Sequence, residues 1–315
     1  MLAFTPASLP DLSGKVYLIT GGNAGIGYET IIHLVRKNAK VYMGARSETK
    51  GLAAISSIQK LVPNADIHLL LFDHMDLSSI IRAAKEFTTK ETRLHGLINN
   101  AGIMAVPFEL SKDGYESQWQ TNYLAHWLLT QHLLPTLLST ARISPPGAVR
   151  IINLTSGGHN YAPSPGIDFA DLNQLRGGLW NRYGQSKLGN ILHAKSLNAL
   201  YGPEGSKKDE GEIWTAAVHP GNIYTNLSKN AKFLGPLSPL FGPVLNALGV
   251  FTPAERGAYT SVFCATSAEF EKGMSGEYFV PVARIGKPSK HARDGIMAEK
   301  LWKWTEEEFK GKGLL

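Results

Sequence analysis

Seven short β-rich runs, at residues 16–20, 40–45, 66–71, 95–99, 148–154, 213–218 and 277–281, alternate with amphipathic segments of helical length. The helical segments are expected at about 25–37, 50–60, 77–90, 112–140, 182–200 and 254–267. Alternation of this kind builds βαβ units, which assemble into a parallel sheet with helices on both faces. Runs such as "RIINL" at 150–154 are apolar on both sides, as strands are when both sheet faces are covered. No repeat, low-complexity tract or linker breaks the pattern, and "GPEGSKKDEGE" at 202–212 reads as an exposed loop. The expectation is one α/β domain over residues 1–315, a doubly wound parallel sheet of about seven strands.

Composition removes several function classes. A net charge of +6 spread over short clusters, with no basic stripe interleaved with aromatics, argues against nucleic acid as a partner. The single cysteine, Cys264, allows no internal disulfide and no cysteine-based metal site, and no metal ligand set is read elsewhere. No basic residue precedes Lys15 and no sustained apolar run follows the first residue, so a cytoplasmic protein is expected rather than a secreted one. Two uncharged stretches fail as membrane spans. Residues 117–141 hold Gln118, Gln120, Asn122, His126, Gln131 and His132, and residues 233–254 hold four prolines. No stable membrane span is expected. The second stretch belongs to an apolar cap at about 222–256, for which a loose peripheral membrane contact is left open.

Behind the first run, "VYLIT", comes "TGGNAGIGYET", with four glycines (Gly21, Gly22, Gly25 and Gly27) within seven positions. A glycine-rich turn between the first strand and the first helix is where a doubly wound sheet binds a dinucleotide pyrophosphate. The helix-start amides and macrodipole favour the anion, and absent Cβ atoms let it approach. The spacing Gly21-x-x-x-Gly25-x-Gly27 departs from G-x-G-x-x-G. About twenty residues on, the second strand ends in "GARS", where an acid would suit NAD and an arginine suits the 2′-phosphate of NADP. Arg46 therefore points to NADP(H).

Further motifs keep the same order relative to the strands: "NNAG" at 99–102, Ser156 after the fifth strand, and Tyr183-x-x-x-Lys187 on the long helix at 182–200. Together with the glycine turn they resemble the short-chain dehydrogenase/reductase family from about Gly14 to Asp294. "NNAGIM", "HPGNIYTN" and "GEYFVPVARIGKPSKHARD" are most similar to its retinol-dehydrogenase-like branch and fungal light-induced alcohol-dehydrogenase relatives. The resemblance implies a Rossmann-type fold with a core at about 14–294. It also implies a catalytic tetrad of Asn122, Ser156, Tyr183 and Lys187, with Asn122 supporting a water relay to the lysine.

Tyr183 and Lys187, four apart on a helix, share a face. A nearby ammonium is expected to lower the phenol pKa and make the tyrosine a usable acid/base. By resemblance the cofactor contacts are Gly21, Asn23, Gly25, Ile26, Gly27, Arg46, Asp73, Asn99, Ala101, Gly102, Tyr183, Lys187, Pro220, Gly221 and Thr225. Asn99 is expected near the adenosine ribose as well as within the sheet, and Asp73 at the adenine. Asp76 reads as a helix N-cap, and His74, where the family commonly has leucine, is expected to matter little.

Two long segments, "GGHNYAPSPGIDFADLNQLRGGLWNR" after Ser156 and the proline-rich cap, are apolar and aromatic, as small-molecule pockets are. Ser156, His159, Tyr161, Trp180 and Tyr183 are the expected substrate contacts, although His159 and His219 also suit packing roles. The reading is an NADP-dependent ketoreductase-type oxidoreductase. Its substrate is expected to be a bulky, mostly apolar ketone, aldehyde or secondary alcohol, such as a compound of secondary metabolism. A non-redox enzyme of dehydration or cyclisation, or a redox-inactive NADP-binding sensor, remains the alternative. The complete Ser156, Tyr183 and Lys187 set favours redox chemistry. A homodimer or homotetramer through the helices at 112–140 and 182–200 is left open.

Overall fold

A computed structural model describes residues 4–223 and 252–315. Its single sheet runs in the order β3-β2-β1-β4-β5-β6-β7-β8. The strands are β1 (Val16–Thr20), β2 (Lys40–Ala45), β3 (Ile67–Leu71), β4 (Gly96–Asn99), β5 (Arg150–Leu154), β6 (Trp214–Val218), β7 (Tyr278–Val280) and β8 (Arg284–Ile285). Neighbours are parallel except for β8, which pairs antiparallel with β7 through Phe279↔Ile285 and Val280↔Arg284. The strand order reverses between β1 and β4, and the crevice outside the carboxyl ends there is where open α/β sheets bind ligands.

The sheet divides two apolar cores by simple alternation. Leu18, Leu97 and Ile151 face one core, while Ile19, Ile98 and Ile152 face the other. The first core also takes residues of α3 (Leu77–Lys90), α5 (Ala125–Arg142) and α6 (Leu179–Tyr201). The second is closed by α1 (Gly25–Val35) and α2 (Glu48–Leu61), together with α7 (Ala254–Thr266). Asp76 caps α3 as expected, its carboxylate accepting from the Ser79 amide at 3.1 Å.

Three features depart from the sequence expectations. The helix expected from residue 112 begins at α4 (Ser117–Trp119), because residues 110–116 close a small loop through a Leu110↔Glu116 bridge. It then passes through a π-helical turn (Gln120–Leu124) into α5. An eighth strand follows β7. Finally, a helix beyond the expected core, α8 (Gly295–Gly311), packs against α5 and α6. Trp302 stacks edgewise on Trp127 at 5.3 Å, Phe309 meets the same ring at 5.5 Å, and Thr305 hydrogen-bonds the Tyr123 hydroxyl at 2.7 Å. The face on which a second copy was left open thus carries the chain's own helix. Thr225 and most of the cap at 222–256 lie outside the described residues. Among the described residues no helix is long and apolar enough to cross a membrane.

Candidate active site

The glycine turn leaves β1 at Thr20 and enters α1 with Gly21 and Gly25 in the left-handed region, at φ 63° and 58°. Side chains rarely adopt that region, which accounts for glycine at both positions. Gly27 answers to space instead: a Cβ there would lie 2.6 Å from the Asn100 side-chain nitrogen and from the Gly21 carbonyl. The turn is clamped to the segment after β4. Thr20 Oγ1 accepts the amides of Asn100 and Ala101 at 2.9 and 2.8 Å, and Asn100 Nδ2 donates to the Thr20 carbonyl at 2.8 Å.

These residues form one wall of a cleft of about 360 Å³ at the switch point. Gly21, Gly25, Ile26, Ala101 and Gly102 line it on the glycine-turn side, and Ser156, Tyr183, Lys187, Pro220 and Gly221 line it opposite. Ala24, Asn100, Met104, Asn222 and Ile223 complete much of the lining and were not anticipated. Asn100 has a signal in the sequence, since it stands in "NNAG" beside Asn99. Asn99 is buried in the sheet, with Nδ2 donating to Asn153 Oδ1 at 2.8 Å and to Thr130 Oγ1 at 3.2 Å, so its side chain supports the sheet as expected and does not line the cleft.

Ser156 sits just past β5, its hydroxyl accepting the Gly158 amide at 3.0 Å. Tyr183 and Lys187 lie one turn apart on α6, both almost wholly buried. The Lys187 ammonium donates to the Leu154 carbonyl at 3.1 Å and stands 5.9 Å from the Tyr183 ring centroid. Burial pushes the Tyr183 phenol up to about 12, with the Ser156 hydroxyl pulling the other way. Burial alone lowers Lys187 to about 7. The expected depression of the phenol by the lysine does not enter: burial raises the phenol, and only the Ser156 hydroxyl opposes it.

Asn122 lies in the π-helical turn and is fully buried. Its Oδ1 accepts the Ile103 amide at 2.8 Å, while Nδ2 donates to the Ile103 carbonyl at 3.0 Å and to Ser186 Oγ at 2.8 Å. It braces the loop after β4 against the residue preceding Lys187. A Cβ at Gly102 would lie 3.0 Å from Asn122 Oδ1 and 3.3 Å from Lys187 Nζ, which shows how tightly this side is packed.

At the outer end, beyond β2 and β3, Arg46 faces Asp73 at 4.0 Å with its side chain three-quarters exposed. Asn23 belongs to the glycine turn but does not line the cleft. Trp180 bridges Tyr183 and Tyr161, with ring centroids at 6.0 and 5.6 Å, forming an aromatic row that runs outward from the phenol. His159 does not join it. Its Nδ1 bonds the Ser156 carbonyl at 2.7 Å and its Nε2 accepts the Ser289 amide at 3.0 Å, so both ring nitrogens are committed to backbone and none is left for a substrate. His219 lies behind Gly157 and also falls outside the cleft lining. His74, expected to matter little, is engaged instead: its Nε2 lies 3.1 Å from Nε2 of His126.

A wall of crowded glycines and helix-start amides facing a buried phenol, hydroxyl and amine can hold a dinucleotide beside a carbonyl carbon. Comparison with known proteins agrees. A family model described as short chain dehydrogenase matches residues 15–166. Over 313 residues the chain is 55% identical to the short-chain dehydrogenase/reductase drtF of Aspergillus calidoustus, covering 98% of each. It is 37% identical over 294 residues to retinol dehydrogenase 12 of Mus musculus, covering 93% of this chain and 85% of that one. The crystal structure of an uncharacterised protein from Mycobacterium paratuberculosis superposes with a TM-score of 0.73 at 29% identity, covering 98% of both chains. The chain belongs to the short-chain dehydrogenase/reductase family of oxidoreductases, within its retinol-dehydrogenase-like part.

Proposed function

We propose that the protein is an NADP(H)-dependent oxidoreductase of a single domain that interconverts a bulky, mostly apolar ketone or aldehyde and its alcohol. The observation that carries this reading is that Ser156, Tyr183 and Lys187 line the same cleft as Gly21, Gly25 and Ile26. The residues fit a nicotinamide dinucleotide: Gly21 and Gly25 line the cleft without side chains, and the amides at the start of α1 suit an anion. Reduced nicotinamide, when bound, supplies the hydride.

The protein's own groups do the rest. Ser156 holds the carbonyl oxygen by a hydrogen bond from its hydroxyl. Tyr183, protonated at neutral pH, gives its proton to that oxygen as the alcohol forms. Lys187 holds the ribose and, when protonated, stabilises the phenolate left behind. Asn122 keeps the lysine side of the site in place and supports its link to solvent.

Preference for NADP over NAD rests on Arg46, whose exposed guanidinium at the end of β2 is free to meet a 2′-phosphate, with Asp73 alongside. Thr225 belongs to the same proposed cofactor set. The apolar substrate rests on the Trp180 and Tyr161 row and on Met104 and Ile223 at the cleft. Its class would suit secondary metabolism, in a cytoplasmic enzyme. Because α8 covers the α5/α6 face, the enzyme works as a monomer with respect to that surface; light scattering of the full chain would give the mass of one chain.

The deciding experiment titrates the purified protein with NADPH and NADH, then compares wild type with Tyr183→Phe on bulky aromatic and aliphatic ketones. Tight NADPH binding with turnover lost in the variant is expected. Weak binding of both cofactors would overturn the reading.

A further inference from the structure

His126, in the first turn of α5, is 1% exposed and no step above uses it. Its two ring nitrogens reach opposite halves of the site. Nε2 lies 2.8 Å from Thr20 Oγ1, beneath the glycine turn, and Nδ1 lies 3.0 Å from the Asn122 carbonyl in the π-helical turn.

The proton positions follow from the partners. Thr20 Oγ1 already accepts the amides of Asn100 and Ala101, so its own proton is free to go to His126 Nε2. The Asn122 carbonyl can only accept, so Nδ1 carries the ring proton. With Nε2 an acceptor, its one lone pair is shared between the Thr20 hydroxyl at 2.8 Å and the more distant Nε2 of His74 at 3.1 Å, which carries a proton so that two lone pairs do not face each other. The ring is thereby held in one tautomer, neutral, with donor and acceptor on opposite edges. Neither Asn nor Gln reproduces both: an amide at the length of asparagine reaches the Nδ1 position, and one at the length of glutamine reaches the Nε2 position.

We propose that His126 is a positioning residue that ties the dinucleotide half of the cleft to its Asn122–Lys187 half. Its acceptor edge fixes the Thr20 hydroxyl, which holds Asn100 and Ala101 against the glycine turn. Its donor edge fixes the Asn122 backbone, whose side chain braces Ile103 and Ser186 next to Lys187. His74, from the segment after β3, locks the tautomer. This inference rests on the cofactor reading above, but most of its test does not need substrate.

The first measurement is the ¹⁵N spectrum of the histidine rings in the full-length wild-type protein. His126 is expected as the Nδ1–H tautomer and His74 as the Nε2–H tautomer; a proton on His126 Nε2 would overturn the proposal. The second compares His126→Asn with His126→Gln, using NADPH binding and amide hydrogen exchange. His126→Asn is expected to weaken NADPH binding by about 10-fold and to expose the Asn100 and Ala101 amides, the size expected for one buried hydrogen bond. His126→Gln is expected to bind NADPH within about 2-fold of wild type while the Ile103 amide loses protection, since only the Asn122 edge is lost.

Thr20→Val should reproduce the binding loss, and adding His126→Asn to it should weaken binding no further. If both His126 variants lose binding and protection alike, the residue merely fills space and the proposal fails. Failure of the wild-type protein to bind NADPH would strike the cofactor reading instead, while the tautomers would still report on the histidine pair.

Discussion

Tyr183 carries the proton in the proposed reaction, and its surroundings favour the donor state. With the phenol pushed up to about 12 and Lys187 down to about 7, both groups resist charge before a dinucleotide arrives. A phenol that keeps its proton at neutral pH is what carbonyl reduction needs; alcohol oxidation would need it removed first. Tyr183→Phe is expected to lower turnover by about 10²–10⁴-fold, the usual worth of a placed acid, while leaving NADPH affinity within a few-fold. Steady-state rates and a fluorescence titration read the two separately. A comparable fall in affinity would mean that the ring holds the cofactor more than it serves the proton. Arg46 supplies a contrasting case. Its ion pair with Asp73 is long and solvated and adds little to stability. Arg46→Ala should therefore leave the melting temperature nearly unchanged and weaken NADPH binding by about 10–100-fold, the worth of a charge-assisted hydrogen bond, without touching NADH. Equal losses for both cofactors would remove Arg46 from 2′-phosphate recognition.

At the level of elements, what could be read from the sequence was whatever repeats with the sheet. The seven parallel strands, the glycine turn and the Tyr183–Lys187 face each follow from local pattern and from position at a strand end. The eighth strand is two residues long, too short for a period of two to show. Helix α8 stands outside the βαβ alternation and fully buries only Ala298, Leu301, Thr305 and Phe309 in a segment that mixes charged residues with Met297, Trp302 and Trp304, against two helices rather than the sheet. Asn99 supports the sheet as expected, but that Asn100 and not Asn99 lines the cleft was hidden for a sharper reason. Adjacent residues at a strand end point to opposite sides, and no local pattern tells which of two asparagines faces the crevice. His159 and His74 depended on distant partners, Ser289 and His126, that only the fold brings near. The weight of α8 can be measured. Phe309 is fully buried against Trp127 and Tyr115, so Phe309→Ala should cost about 3–5 kcal/mol in urea unfolding of the full chain. A cost below about 1 kcal/mol would show that α8 is loosely held, and the α5/α6 face would again be open to a second copy.

The whole molecule is charged on its surface and carries several buried neutral imidazoles inside, and this sets how it meets acid. Burial lowers His95 to about 4 and His193 to about 3, and holds His126 well below the ordinary value near 6.5. His95 Nδ1 accepts the Val16 amide at 3.1 Å, a bond that protonation would abolish. In the unfolded chain these rings take up protons as the pH falls through about 6.5, while in the folded chain they stay neutral to about 4 or below. The unfolded state therefore binds more protons across that interval, and stability, full above about 6.5, is lost progressively as the pH drops. Each ring depressed in this way contributes roughly 3–5 kcal/mol at the acid end, comparable with much of a domain's net stability, so unfolding is expected between about pH 4 and 6. His193 isolates the effect. Among the described residues its Nε2 has no hydrogen-bond partner, and its ring packs between Tyr123 and Trp302, so an apolar side chain suits the site. His193→Leu should remove about 2 kcal/mol of the stability difference between pH 7.5 and pH 5, measured by urea unfolding at both. A variant whose stability falls with acid as steeply as wild type would show that His193 titrates alike in the folded and unfolded chain, and that the acid response arises elsewhere.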